Sequence, residues 1–229
     1  MGKRIEQNNR RINGDRVRKI RNQKSKILIA VEGNNKTEKT YFSNFEDCKK
    51  SYNITYARGN DTDPLKLVKT LVKEIKKMGL DLQDDDVAYC VFDTDIDPNK
   101  NKIIEEAIRL AMKNHIKIIT SSPCIELWFL LHYDYTTANM SSENVIKRLK
   151  KSYPQYEKNV NIYPDIIENL DTAIKRAKKL EKYQLDNNRR IGTVEANPNT
   201  ELYKIVEYLI NKNRKILPLF NCLDNFVYS

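Results

Sequence analysis

The sequence predicts an α/β fold: a mostly parallel sheet flanked by helices, with a helical C-terminal part. Three observations carry this. Between Lys26 and Thr120, short apolar runs alternate with segments of helical period, as strands joined by crossover helices do. The runs are continuously apolar rather than alternating, which is the pattern of strands covered on both faces. From Asp134 onward the alternation stops and helical periodicity alone remains.

Composition bounds the rest. Of 229 residues, 40% are hydrophobic, enough for a sizeable core, and 31% are charged, which demands a wet surface. No run approaches the ~18 apolar residues of a membrane span. The N-terminus is polar and basic, so no signal peptide is expected. Cys48, Cys90, Cys124 and Cys222 are scattered without C-x-x-C spacing. That usage fits a reducing cytoplasm and argues against a structural zinc site. Cys90 lies inside an apolar run and is expected as a buried free thiol. With His115 and His132 as the two histidines, a histidine-rich metal centre is excluded.

Residues 1–26 hold ten Lys or Arg against two acids, Glu6 and Asp15, so +8 of the chain's net +10 sits there. This arm, set at 1–25, lacks apolar periodicity. Its Arg10, Arg11, Arg16, Arg18, Lys19 and Arg21 suit salt-dependent contact with nucleic-acid phosphates. A merely solubilising tail is the competing reading.

The first strand, Ile27–Val31, ends abruptly at Glu32-Gly33. A loop of two asparagines and Lys36 follows, and Thr37 opens a helix expected to reach about Cys48. Strand, sharp turn and helix start form the place where open α/β sheets put their chemistry, and a carboxylate stands at the tip. The stretch Gly33 to Thr40 also approaches the phosphate-loop pattern G-x-x-x-x-G-K-[ST], with Lys39-Thr40 in register. Glu38 occupies the second glycine position, where its Cβ and charge would face phosphate oxygens.

Tyr52–Arg58 reads as the second strand. Asp63 caps and Pro64 opens the next helix. Its stripe is Leu65, Val68, Leu71, Val72 and Ile75, with Lys66, Lys69, Lys73, Lys76 and Lys77 largely off it, and Gly79 ends it. The third strand, 87–92, runs into Asp93, Asp95 and Asp97. Alternation puts carboxylates two apart on one side of an extended chain. Three on one side repel unless a cation sits among them, and hard oxygen ligands suit Mg²⁺ or Mn²⁺. An acidic turn capping the following helix, about Lys102 to Lys113, is the alternative. A fourth strand is expected at Ile116–Thr120.

Pro123 then opens an apolar segment that carries Glu126 and ends at His132. Glu126 in such company costs energy to bury unless a cation or donor meets it. It can equally be an acid favoured at a helix start. His132 reads as a hydrogen-bonded structural histidine, with phosphate contact or proton shuttling as the alternative. Trp128 is expected in the core.

Beyond Asp134, helices are expected at 141–152, 165–185 and 200–212. The second has Ile166, Leu170, Ile174, Ala177 and Leu180 as its stripe, the third Leu202, Ile205, Val206 and Leu209. Tyr153, Tyr156 and Tyr163 between them read as packing tyrosines, with base stacking as the alternative.

The segments VEGNNKTEKTYF at 31–42, FDTDID at 92–97, SSPCIELWFLLHY at 121–133 and NPNT at 197–200 together resemble the RloB-like family. That family is a branch of the Toprim fold found beside bacterial defence genes. The resemblance implies a Toprim-like catalytic domain at 26–133, a helical C-terminal subdomain at 134–229 and metal-dependent phosphodiester chemistry. Asp93, Asp95, Asp97 and Glu32 then become expected metal ligands, and Glu32 also a general acid or base. Lys36 becomes a neutraliser of charge on phosphorus, Lys39 a nucleic-acid contact, and Glu126 and His132 auxiliary residues. RNA, including tRNA, or DNA is the expected substrate, and a companion defence protein an expected partner. A non-catalytic nucleic-acid-binding subunit and a nucleotide-binding switch on residues 33–40 stand as alternatives.

Overall fold

A computed structural model describes residues 24–33, 36–46, 50–94 and 101–214. Five strands form one sheet in the order β2-β1-β3-β4-β5. Strands β1 (Ser25–Val31), β2 (Tyr52–Tyr56), β3 (Val87–Asp93) and β4 (Lys117–Ser122) run parallel to one another. β5 (Asn199–Thr200) joins β4 antiparallel, with Ser121 opposite Thr200 and Ser122 opposite Asn199.

That last strand corrects the expected helix start at residue 200. Thr200 is held by the Ser121 hydroxyl at 2.8 Å. The Glu201 N–H donates to the Thr120 carbonyl at 2.9 Å, and the Glu201 carboxylate accepts the Thr120 N–H and hydroxyl at 3.2 and 2.8 Å. These bonds draw 199–201 onto the β4 edge. Helix α8 (Leu202–Arg214) therefore starts two residues late, with its expected stripe fully buried.

Alternate residues of each inner strand enter two different cores. Leu28, Ala30, Ala88, Cys90 and Phe92 face helices α2 (Pro64–Met78) and α3 (Asn101–Lys113). Ile27, Ile29, Val31, Tyr89 and Val91 face the other layer, with α1 (Lys36–Ser43), α4 (Glu126–Tyr133), α5 (Ser142–Ser152), α7 (Leu170–Asp186) and α8. Covering on both sides is why the runs read as continuously apolar. Cys90 and Cys124 are buried free thiols.

Local chemistry sets the helix ends. Asp63 accepts the Lys66 N–H at 2.9 Å and Pro64 opens α2. Gly79 closes it at φ 59, a left-handed conformation that costs glycine little. The Ser141 hydroxyl caps α5 from Asn144 N–H at 3.3 Å. The expected single helix at 165–185 is divided into α6 (Tyr163–Ile166), a 3₁₀ turn (Ile167–Asn169) and α7. Its apolar stripe still points inward, because Ile166, Leu170, Ile174, Ala177 and Leu180 are all buried. No described helix is long and apolar enough to cross a membrane.

Candidate active site

The sheet changes direction between β1 and β3. β1 connects outward to β2 and β3 outward to β4, which leaves a crevice at the carboxyl ends of the two central strands. Glu32 follows β1 directly and Asp93 closes β3. Gly33, at φ 58, turns the chain away, and its N–H donates to the Asp61 carbonyl at 2.7 Å. A Cβ there would meet Thr62 Cγ2 at 3.3 Å. The Glu32 carboxylate folds back to accept the Asp93 N–H at 3.3 Å.

Strand parity then assigns Asp93 a direction. Tyr89 and Val91 face the layer containing α1 and α4, so Asp93 faces it too. Each of those helices brings a buried acid, Glu38 in the first turn of α1 and Glu126 at the start of α4. Burial is the largest influence holding the Asp93 carboxyl well above its ordinary range. The negative charges of Glu38, Glu126 and Glu32 push it the same way, against an opposing backbone hydrogen bond from Ile125. Four carboxylates drawn from β1, α1, β3 and α4 thus share one electrostatic neighbourhood.

Glu126 has two further partners from the C-terminal part. The Tyr156 hydroxyl donates to its Oε1 at 3.0 Å, in a buried contact. Lys158 Nζ lies 3.9 Å from the same oxygen. The Cys124 thiol beside them is pushed up, first by burial and then by Glu126 and Asp93. A thiol held protonated in this way is no nucleophile.

The other anticipated residues fall in varied places. Lys36 is exposed at the start of α1. Lys39 is half-buried, and its carbonyl accepts the Tyr56 hydroxyl at 3.2 Å. His132 lies six residues beyond Glu126, about 9 Å along the helix. Its Nδ1 is 2.9 Å from the Trp128 carbonyl, and its ring meets the Trp128 ring edge-on at 4.9 Å. Burial lowers its pKa to about 4, which favours the neutral ring at pH 7. Asp95, Asp97 and the arm residues Arg10, Arg11, Arg16, Arg18, Lys19 and Arg21 lie outside the described residues. Among the described residues, no three His, Cys, Asp or Glu side chains converge closely enough to hold a metal ion. The donor chemistry present, all carboxylate oxygen, is that of a hard-cation site.

Sequence reasoning missed Glu38, Tyr156 and Lys158. For Glu38 a signal existed. Glu38, Tyr41, Phe42 and Phe45 fall at i, i+3, i+4 and i+7, so the acid shares the buried face of its helix. The acid is 1% exposed. Tyr156 and Lys158 carried no local signal, because their partner is some thirty residues away.

Comparison with known proteins gives one family: the model described as RloB-like protein matches residues 27–209. No curated protein and no solved structure matches the chain.

Proposed function

From the premise that this chain belongs to the RloB-like protein family, we propose that it is a metal-dependent nuclease. In this reading it hydrolyses phosphodiester bonds in RNA or DNA, in the setting of bacterial anti-phage defence. The observation that carries the reading is the gathering of Glu32, Glu38, Asp93 and Glu126 around the crevice between β1 and β3. The negative charges of Glu38, Glu126 and Glu32 raise the proton affinity of Asp93, an unfavourable arrangement for structure alone and a common one at catalytic sites. The Toprim comparison drawn from FDTDID supports the same chemistry.

Glu32 and Asp93, with Asp95 and Asp97 from the following segment, would hold Mg²⁺ or Mn²⁺. When bound, such an ion polarises the scissile phosphate and lowers the pKa of water. The chain's own groups do the remainder. Glu32, oriented by the Asp93 N–H, can take a proton from the attacking water. Lys36 offsets negative charge on the phosphate from the α1 side. Tyr156 holds one oxygen of Glu126 by a buried hydrogen bond.

The nucleotide-switch alternative is less well supported. The Gly33 N–H is committed to Asp61, and a buried acid stands where a phosphate loop needs glycine. The test is incubation of the full chain with labelled tRNA, single-stranded DNA and duplex DNA, with Mg²⁺, Mn²⁺ or chelator. Cleavage that needs the ion and is lost in Asp93→Asn is the expected result. Absence of cleavage on every substrate, with nucleic acid still bound, would return the protein to the non-catalytic binding class.

A further inference from the structure

The segment 153–163, which follows α5, runs along α4 and across the mouth of the acidic cluster to α1. It is tied at several points. Tyr156 donates to Glu126 at 3.0 Å. The Asn159 N–H donates to the Thr37 hydroxyl at 3.2 Å. Asn161 and Asn44 exchange side-chain amide bonds at 2.9 and 3.0 Å. The Tyr163 ring packs edge-on against Tyr41 and Phe45, at 5.7 and 5.2 Å.

Lys158 stands between two of these ties. Its side chain is 67% exposed, yet its Nζ is 3.9 Å from Glu126, which is 3% exposed. A long, solvated contact of that kind contributes little to holding the segment; the hydroxyl and amide bonds on either side do that. What the ties accomplish is to fix the backbone of a lysine at the rim of a buried acidic cluster. Across that rim, exposed Lys36 immediately precedes Thr37, the residue bound by Asn159. The Thr37–Asn159 bond therefore brings the backbones of two exposed lysines from distant parts of the sequence close together.

We propose that Lys158 binds a backbone phosphate of the nucleic-acid strand and seats that strand over the acidic cluster, opposite Lys36. The inference rests on the nucleic-acid reading of this site and adds to it a binding group from the C-terminal part. Its chemical reason is repulsion: a polyanion cannot approach four carboxylates unless cations at the rim offset them. A lysine supplies a point charge that grips phosphate without reading sequence. The helical C-terminal part then contributes part of the substrate site instead of merely covering the sheet.

The experiment measures fluorescence anisotropy of the full chain with labelled RNA and DNA oligonucleotides of one sequence, in chelator, over a salt series. Lys158→Ala should weaken binding about three- to tenfold on both, and lower the slope of log affinity against log salt by about 0.7, one single-strand phosphate contact. Lys158→Arg should restore the slope. Lys182→Ala, which removes an exposed lysine of α7 paired with Asp186, should change neither. The thermal midpoint of Lys158→Ala should match wild type. Wild-type affinity and slope in Lys158→Ala would overturn the proposal. So would a loss that arginine does not rescue and that comes with a lowered midpoint, since the lysine would then only hold the segment.

Cleavage is scored separately with Mg²⁺. Wild type that never cleaves but shows the Lys158 effect removes the nuclease reading and keeps the phosphate contact. Wild type that cleaves, with Lys158→Ala binding and cleaving equally well, does the reverse. Failure of wild type to bind either nucleic acid overturns both.

Discussion

Two ionisable residues make opposite statements about pH. Asp93 has its proton affinity raised, first by burial and then by Glu38, Glu126 and Glu32. The folded state therefore holds that proton more tightly than the unfolded chain, whose carboxyl has the ordinary value of 3.8. Its ionised form costs stability above the folded value, and the cost vanishes as pH falls through 3.8. Asp93→Asn should thus raise the stability of the metal-free protein at pH 7 while abolishing cleavage. The gain should shrink on acidification, which urea denaturation at stepped pH will show. A variant less stable than wild type at pH 7 would mean that the charge is structurally required. His132 behaves the other way. Its pKa falls from 6.5 to about 4, so the folded state binds fewer protons than the unfolded one. Stability is complete above 6.5 and falls as pH drops toward 4, by about 3 kcal/mol in all. An NMR titration of the His132 ring should give a midpoint near 4; a midpoint near 6.5 would refute the burial account.

At the scale of elements, α4 and the segment 153–163 act as one unit. Leu127 through Leu131 are wholly buried, so α4 is apolar all round and meets partners on every side. Glu126 stands at its start, and the Tyr156 hydroxyl donates to it in the interior. Tyr156→Phe keeps the ring contacts with Phe129, at 6.1 Å, and removes only that donor. Leaving a buried carboxylate short of a hydrogen bond should cost about 1–3 kcal/mol, measured by urea unfolding. The loss should be smaller in a Glu126→Gln background, because a neutral amide is cheaper to leave unmet. Equal losses in both backgrounds would show that the hydroxyl matters for something other than Glu126.

For the whole molecule, the core on the α1 and α4 face is shared along the chain. Val145, Leu149, Ala173, Ala177, Leu180, Ile205 and Leu209 pack into the same cluster as Ile27, Ile29, Tyr41 and Val91. A fragment ending at residue 133 would expose that side of the sheet together with all of α4. It should fail to fold, giving no sigmoidal melting transition and no dispersed NMR spectrum. A cooperative transition from that fragment would show that the C-terminal helices are an appendage after all.

The sequence by itself determined the alternating strands and helices, the parallel sheet, the stripes of the helices, and Glu32 and Asp93 as the acids at two strand tips. It could do so because those features repeat at periods of 2 and 3.6 or stand at element ends, and such information is local. NPNT shows the limit. Read locally, Asn199 and Thr200 open a helix; the unpaired edge of β4, far away in the chain, makes them a strand instead. Glu38 shows a milder case, in which the helical spacing was present but the charge argued for water. Its burial follows from α1 lying against a sheet that also receives α4. The meeting of Glu126 with Tyr156 and Lys158 was decided by tertiary structure alone. No spacing rule links residues thirty apart, and it is the path of segment 153–163 between α4 and α1 that brings a hydroxyl and a cation to that acid.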